Sequence, residues 1–312
     1  MEIKNQELKN KKEINLLSKW EEVFNDWESY SQKQKELRNL IKKGVPNEIR
    51  PKLWLKLSKA EELMKKPENI NVYQNLIALS DLSTQSQISK DSVRTFPNHP
   101  KYEPNEGLPG LSNILKAWTG FAPDLGYCSG MNQIAALILL IFEQYEEEIP
   151  FWVFVGVLEE KKFNQIFNFQ FKLIQKWCYL VSELIKKFHP KLASIFENNQ
   201  IEYPIFLYRY FATLFSDLFP ISDCARIWDF FLLDGEEFLF KLAVALLSKK
   251  QKNLENKSFE DILMILIQIK FNEPIDELIQ LAYKYDIKNI VEIKSKEFDE
   301  KQKEKEIPEQ FI

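Results

Sequence analysis

In "ISKDSVRTFP", Arg94 stands three residues after Asp91, and Pro97 follows closely. A carboxylate at that spacing can hold the guanidinium or cap the turn. Pro97 forces the chain out of a helix. Arg94 should therefore lie at an element end, where a planar, permanently charged group can project toward an anion. The same pattern also describes a surface arginine in a local ion pair, which contributes little. A second candidate is "LGYCSGMN", Leu125 to Asn132, a tight corner through Tyr127, Cys128, Ser129 and Gly130 that opens into the apolar run "QIAALILLIF". Such a corner holds a side chain at a fixed place on a rigid element. A third is "KKGVPNEIRPKLW". Arg50 and Trp54 lie four residues apart and share a helical face, the arginine suited to bonding carboxylates and the indole to anchoring the helix. A capped helix with a core tryptophan reads equally well there.

Several chemistries are excluded. The two histidines, His99 and His189, are far apart and each is followed by Pro, so no metalloprotease pair exists and a histidine-activated nucleophile is disfavoured. Cys128, Cys178 and Cys224 are odd in number and widely spaced, which suits reduced thiols better than a disulfide framework or a zinc site. No G-x-x-x-x-G-K-[ST] loop is present, and the eight glycines form no phosphate cradle. Any phosphoryl chemistry must then act on a nucleotide held by a partner, and no cofactor of the chain's own is expected.

The 312 residues carry 42 Lys and Arg against 46 Asp and Glu, a net charge of −4. That mixed, mildly acidic balance argues against nucleic acid as the main partner and against a polybasic membrane anchor. "MEIKNQELKNKKEI" lacks an apolar core for a secretory signal, and no apolar run is long enough to span a bilayer. The expected location is cytoplasmic, with no direct membrane insertion.

The elements that must position these residues are helical. Leu16, Leu17, Trp20, Val23, Phe24 and Trp27 recur at helix spacing. "PNHPKYEPNEGLPG" is too rich in Pro and Gly for regular structure. Beyond Leu111, apolar helices follow one another. "WVFVGV" reads as helix from its setting despite its β-branched residues. "SDCARIWDFFLLDG" reads as a helix with Ser222 as N-cap and Gly235 just past its end. The expectation is an all-α chain with one large multi-helix domain over 41–290. Residues 1–40 form a charged segment and leading helix, and 291–312 a charged, fraying tail.

Taken in order, the three stretches resemble the TBC domain, the catalytic domain of Rab-family GTPase-activating proteins. "TLFSDLFPISDCARIWDFFLLDGEEFLF" resembles the family's Trp-Asp helix and following turn, and the likeness runs from about Trp20 to Tyr285. The resemblance implies a Rab-type small GTPase as partner, with GTP and Mg held there, in membrane trafficking. This protein would be a regulator of that hydrolysis rather than an enzyme on its own substrate, peripheral to endomembranes only through the partner. It implies that Arg94, in I-x-x-D-x-x-R-T, is an arginine finger supplied in trans, with Asp91, Thr95, Tyr127, Arg50 and Trp54 supporting the site. The family's Y-x-Q glutamine orients the attacking water, and that position here is Ser129. A serine hydroxyl cannot reach as a carboxamide does. Gln133 lies one turn deeper, about 5 Å away, and reads as a residue bonding inside the domain. The alternative implied function is a catalytically weak or inactive binding module for a small GTPase.

Overall fold

The computed structural model describes residues 2–168, 171–269, 271 and 274–306. Eighteen α-helices run through them. The first seven are α1 (Glu2–Asn25), α2 (Trp27–Gln32), α3 (Gln34–Lys43), α4 (Arg50–Leu57), α5 (Ala60–Met64), α6 (Tyr73–Ala78) and α7 (Leu82–Val93). After the Pro/Gly-rich stretch come α8 (Leu111–Phe121), α9 (Met131–Ile141), α10 (Glu148–Val155), α11 (Lys172–Phe188), α12 (Pro190–Asn198) and α13 (Pro204–Ala212). The last five are α14 (Ile221–Asp234), α15 (Glu236–Leu254), α16 (Phe259–Ile267), α17 (Ile275–Ala282) and α18 (Lys288–Glu306). Among the described residues no strand forms; one isolated bridge joins Glu103 and Gly107.

The centre is built from helices that are apolar around most of their surface, as buried helices must be. Ile134, Ala135, Ala136, Leu137 and Ile138 of α9 are all buried, and so is α10 from Pro150 to Val155. α14 buries every residue from Cys224 to Leu233 except Arg226. "WVFVGV" is helical as expected, α10 passing at Gly156 into a π-helical turn over Gly156–Glu160.

Asp229 sits inside this core on α14. Its carboxylate accepts from Arg50 Nε at 3.0 Å and from Trp54 Nε1 at 2.9 Å, both on α4. Arg50 spends its other nitrogens on Asn47 Oδ1 and the Val45 carbonyl. Burial pushes the Asp229 carboxyl up, and the Arg50 charge beside it pulls the other way. This is a staple between α4 and α14, so Arg50 and Trp54 bond to Asp229 and to no residue of the Arg94 network. The shared helical face was read correctly; its partner lies 179 residues away.

Three expectations change. The N-cap of α14 is Pro220, and Ser222 lies within the first turn without capping it. The chain leaves extended Pro220 directly into the helix, earlier than a cap at Ser222 would allow. Gly235 does end α14, at φ 69°. The 40/41 boundary falls inside α3, whose Leu37, Leu40 and Ile41 are buried and whose Arg38 makes a forked bond to Asp234. The described chain before residue 41 is therefore continuous with the domain through α3. The charged segment from 291 is no loose tail: α18 docks on α11 through Lys176–Asp299 at 2.7 Å and Lys294–Glu183 at 3.2 Å, with Phe298 against Tyr179. Opposite charges at helical spacing give that segment a partner. Its last part, 307–312, lies outside the described residues. No described helix is long and apolar enough to cross a membrane.

Candidate functional site

α7 starts at an Asp81 cap, whose carboxylate accepts from Thr84 N. It ends at Val93, so Arg94 is its C-cap residue. Phe96 then turns to φ 47° immediately before Pro97, which takes the chain away from the helix axis. Arg94 is thus left projecting, its side chain 67% exposed. Its Nη2 lies 2.7 Å from Asp91 Oδ1, so the i, i+3 carboxylate holds the guanidinium.

The other oxygen of Asp91 accepts from Tyr127 Oη at 2.6 Å. Tyr127 is buried, and burial together with the Asp91 bond holds its phenol well above the usual tyrosine range. It therefore stays a donor at any ordinary pH. A second strand of the network starts at the Asp91 carbonyl, which accepts from Thr95 Oγ1 at 2.6 Å. Thr95 Oγ1 accepts from Asn132 Nδ2 at 2.7 Å, and Asn132 Oδ1 accepts from Gly130 N at 3.0 Å. The end of α7 and the corner before α9 are tied together twice, through residues that are buried. Arg94, Asp91, Thr95 and Tyr127 are brought into one cluster, while Arg50 and Trp54 are not.

The corner is as tight as its glycines suggest. Gly130 has φ 107° and is the N-cap of α9. A Cβ there would stand 2.7 Å from the Ala212 carbonyl oxygen, so the corner packs directly on the end of α13. Ser129 is exposed beside it and makes no hydrogen bond among the described residues. Cys128 is half-buried, and burial pushes its thiol up, which argues against thiolate chemistry.

Arg94 forms part of the wall between two adjoining hollows, each of about 600 Å³. One is shared with Tyr127, Ser129 and Gly130. The other runs under the loop from Phe96 to Pro100. Gln133, Arg209 and Asp217 line both. The oxygen of Gln133 is buried without a hydrogen-bond partner among the described residues, so it does not bond inside the domain as expected. Its place at N3 would let it reach back to the N-cap N–H, but Asn132 already holds that group.

Sequence reasoning missed Asn132, although it stood in the quoted corner. Its role depends on Thr95, which only the fold brings near. It also missed Arg209, whose signal was a lone cation in the apolar run "PIFLYRYFATLF". What the assembled site can offer is an exposed guanidinium held by a buried carboxylate, facing an open hollow beside a short hydroxyl.

A family model of the Rab-GTPase-TBC domain matches residues 47–255. The chain is 31% identical over 223 residues to the Small G protein signaling modulator 3 homolog of Xenopus laevis, covering 70% of this chain and 29% of that protein. It is 28% identical over 296 residues to the human Ecotropic viral integration site 5 protein homolog, covering 90% and 36%. It is 31% identical over 233 residues to the TBC1 domain family member whacked of Drosophila melanogaster, covering 73% and 62%. This chain thus spans about a third of the length of the first two relatives. In fold it is similar to the flagellar RabGAP TBC domain of Chlamydomonas, with a TM-score of 0.69 at 23% identity, covering 88% of this chain and 95% of that one. The Ypt/Rab-GAP domain of Gyp1p gives the same TM-score and identity, covering 80% and 92%. The helical architecture, the motif order and the family match over most of the chain lead to one conclusion: it belongs to the Rab-GTPase-TBC domain family.

Proposed function

We propose that this domain is a GTPase-activating protein for a Rab-type small GTPase in membrane trafficking, with Arg94 entering the partner's nucleotide site in trans. The observation that carries the reading is the state of Arg94: 67% exposed, at a helix end, held by one carboxylate. The guanidinium stands in water while Asp91 is only 7% exposed and keeps its bond from Tyr127, so the guanidinium can exchange Asp91 for phosphate oxygens when a partner docks. There it offsets the charge that spreads over the transferring phosphoryl group. Tyr127 keeps Asp91 satisfied after the exchange. GTP and Mg belong to the partner, and the domain acts in the cytoplasm, reaching membranes only through that partner.

Ser129 supports a division of labour different from that implied by a Y-x-Q corner. Its hydroxyl is too short to bridge across an interface to the attacking water. The GTPase's own switch glutamine would then position the water, as in the Ras-type arrangement where only an arginine arrives in trans. The test is a single-turnover panel of purified Rab-type GTPases, followed by a two-by-two cycle that pairs wild type or the Ser129→Gln variant with the glutamine or leucine form of the GTPase. Acceleration by wild type should vanish with the leucine form and return with Ser129→Gln. Equal acceleration of both forms by wild type would overturn the assignment. A second reading, a binding module without catalysis, is favoured by the same exposed, unbonded Ser129. It wins if wild type accelerates no GTPase while Ser129→Gln does.

A further inference from the structure

The outward face of α13 is apolar. A surface helix ordinarily turns charged residues to water, but α13 turns out Pro204, Ile205, Tyr208 and Arg209. Ile205 is 47% exposed and Tyr208 38%. α16 adds Met264 and Ile267, also exposed and one turn apart. Arg209 stitches the two helices: its Nη1 donates to the Ile267 carbonyl at 2.9 Å and its Nε to Asp217 Oδ2 at 2.9 Å. The other oxygen of Asp217 accepts from Thr213 Oγ1 at 2.8 Å. The Tyr208 ring stands edge-on to Phe171, 5.3 Å between centroids. Tyr208 and Arg209 also line the hollow that contains Arg94 and Ser129, and Gly130 packs on the last carbonyl of α13. The apolar rim and the proposed catalytic groove are one continuous surface.

Resting on the function proposed above, we infer that the α13–α16 rim is the anchor on which the GTPase docks, and that Arg209 grips an acidic side chain set among apolar ones on the partner's face. Arg209 is a positioning residue here, and Tyr208 supplies the apolar contact. Two of the Arg209 nitrogens are engaged within the chain, and Nη2 makes no hydrogen bond among the described residues. Its plane is already fixed, so little side-chain freedom is lost when a carboxylate arrives. Aromatic, Met and Arg side chains together are the composition of interface cores. One cation, already paired with Asp217 and set amid apolar residues, suits a single side-chain acceptor in a protein surface better than an anionic membrane, which calls for a cluster of cations. Arg94 and Arg209 therefore divide the work: the exchangeable one reaches, the fixed one holds.

The test uses the Rab-type GTPase that wild type accelerates most in the single-turnover panel, loaded with GTP. Rates are measured over a range of domain concentrations for wild type, Arg209→Ala, Arg209→Lys, Tyr208→Ala and Arg94→Ala. Arg209→Ala and Tyr208→Ala should each raise the half-saturating concentration about tenfold, with the maximal rate within about twofold of wild type. Arg209→Lys should recover part of that loss, and Arg209→Ala should weaken the salt dependence of binding. Arg94→Ala should do the reverse, lowering the maximal rate at an unchanged half-saturating concentration. Thermal melts guard against misfolding; Tyr208 has no hydrogen-bonding duty among the described residues, so its variant keeps the test alive if Arg209→Ala unfolds. Unshifted half-saturation in both variants, with wild type active, overturns this inference alone. Loss of maximal rate in Arg209→Ala overturns it by placing Arg209 in the chemistry. A dimer in sedimentation that Tyr208→Ala dissociates overturns it in favour of a second copy. Wild type neither binding nor accelerating any GTPase overturns the function on which it rests.

Discussion

Arg94 and Arg50 are each bonded to an aspartate that also accepts from an aromatic side chain, Tyr127 Oη for Asp91 and Trp54 Nε1 for Asp229. The chemical parts match; the surroundings do not. The Asp91 partner lies three residues from its arginine, and the Asp229 partner 179. Arg94 is 67% exposed, whereas Arg50 is 9% exposed and has all three nitrogens engaged. Burial thus decides what an arginine–aspartate–aromatic set is for. At the surface one member, the Arg94 guanidinium, lies in water although Asp91 is buried, so that arginine is free to leave its partner. In the core its loss would leave an uncompensated charge, so it acts as a staple.

The comparison is broken most severely at its exposed member. Arg94→Ala should remove an acceleration of about 10³–10⁵-fold in single-turnover hydrolysis, with circular dichroism and melting temperature unchanged. Arg94→Lys should fail as well, because an ammonium lacks the planar fork. Full activity in the Lys variant would defeat the finger assignment. At the buried member the effect moves from rate to stability. Arg50→Ala should cost about 3–5 kcal/mol in denaturant unfolding, while the folded fraction keeps its rate. A rate loss at unchanged stability would instead move Arg50 into the interface.

Tyr127→Phe sharpens the contrast from within the Arg94 set. The ring remains and only the donor to Asp91 is lost, so stability should fall by about 1–3 kcal/mol, with a drop in rate as Arg94 loses its ordered mount. A variant with wild-type rate and melting would show that Asp91 needs no second partner. The smallest effect is the pH dependence of the same group. The folded phenol is raised from its ordinary value of 10.0, by burial first and then by Asp91. The unfolded phenol ionises near that value, so the contribution to stability is full below about pH 10 and declines as pH rises above it. Tyr127→Phe should flatten part of that alkaline decline in melts. An identical decline in the variant would place the Tyr127 proton outside the network's energetics.

Much of the front of the molecule was legible because its information is local. Asp91, Arg94 and Pro97 specify an arginine at a helix end from their spacing alone, and Gly126 and Gly130, both at positive φ, specify the corner. The absence of a glutamine at Ser129 needed no structure to see. The back was only half legible. Arg50 and Trp54 announced a shared face, but nothing in "RPKLWLKL" names Asp229, which becomes their partner only when α14 packs across α4. The charged segment from 291 misled because its polarity was read without its docking surface on α11.

By itself, then, the sequence determined the helical class, the projecting Arg94, the tight corner and the short side chain at its apex, since each follows from the backbone preferences of neighbouring residues. Only the tertiary structure decided that Arg50 is sealed against Asp229, that Asn132 joins Thr95 to the Gly130 amide, and that the apolar face of α13 continues the groove of Arg94. Those facts depend on burial and on contacts between residues far apart in the chain. Spacing along the sequence carries no record of the distances that folding makes short.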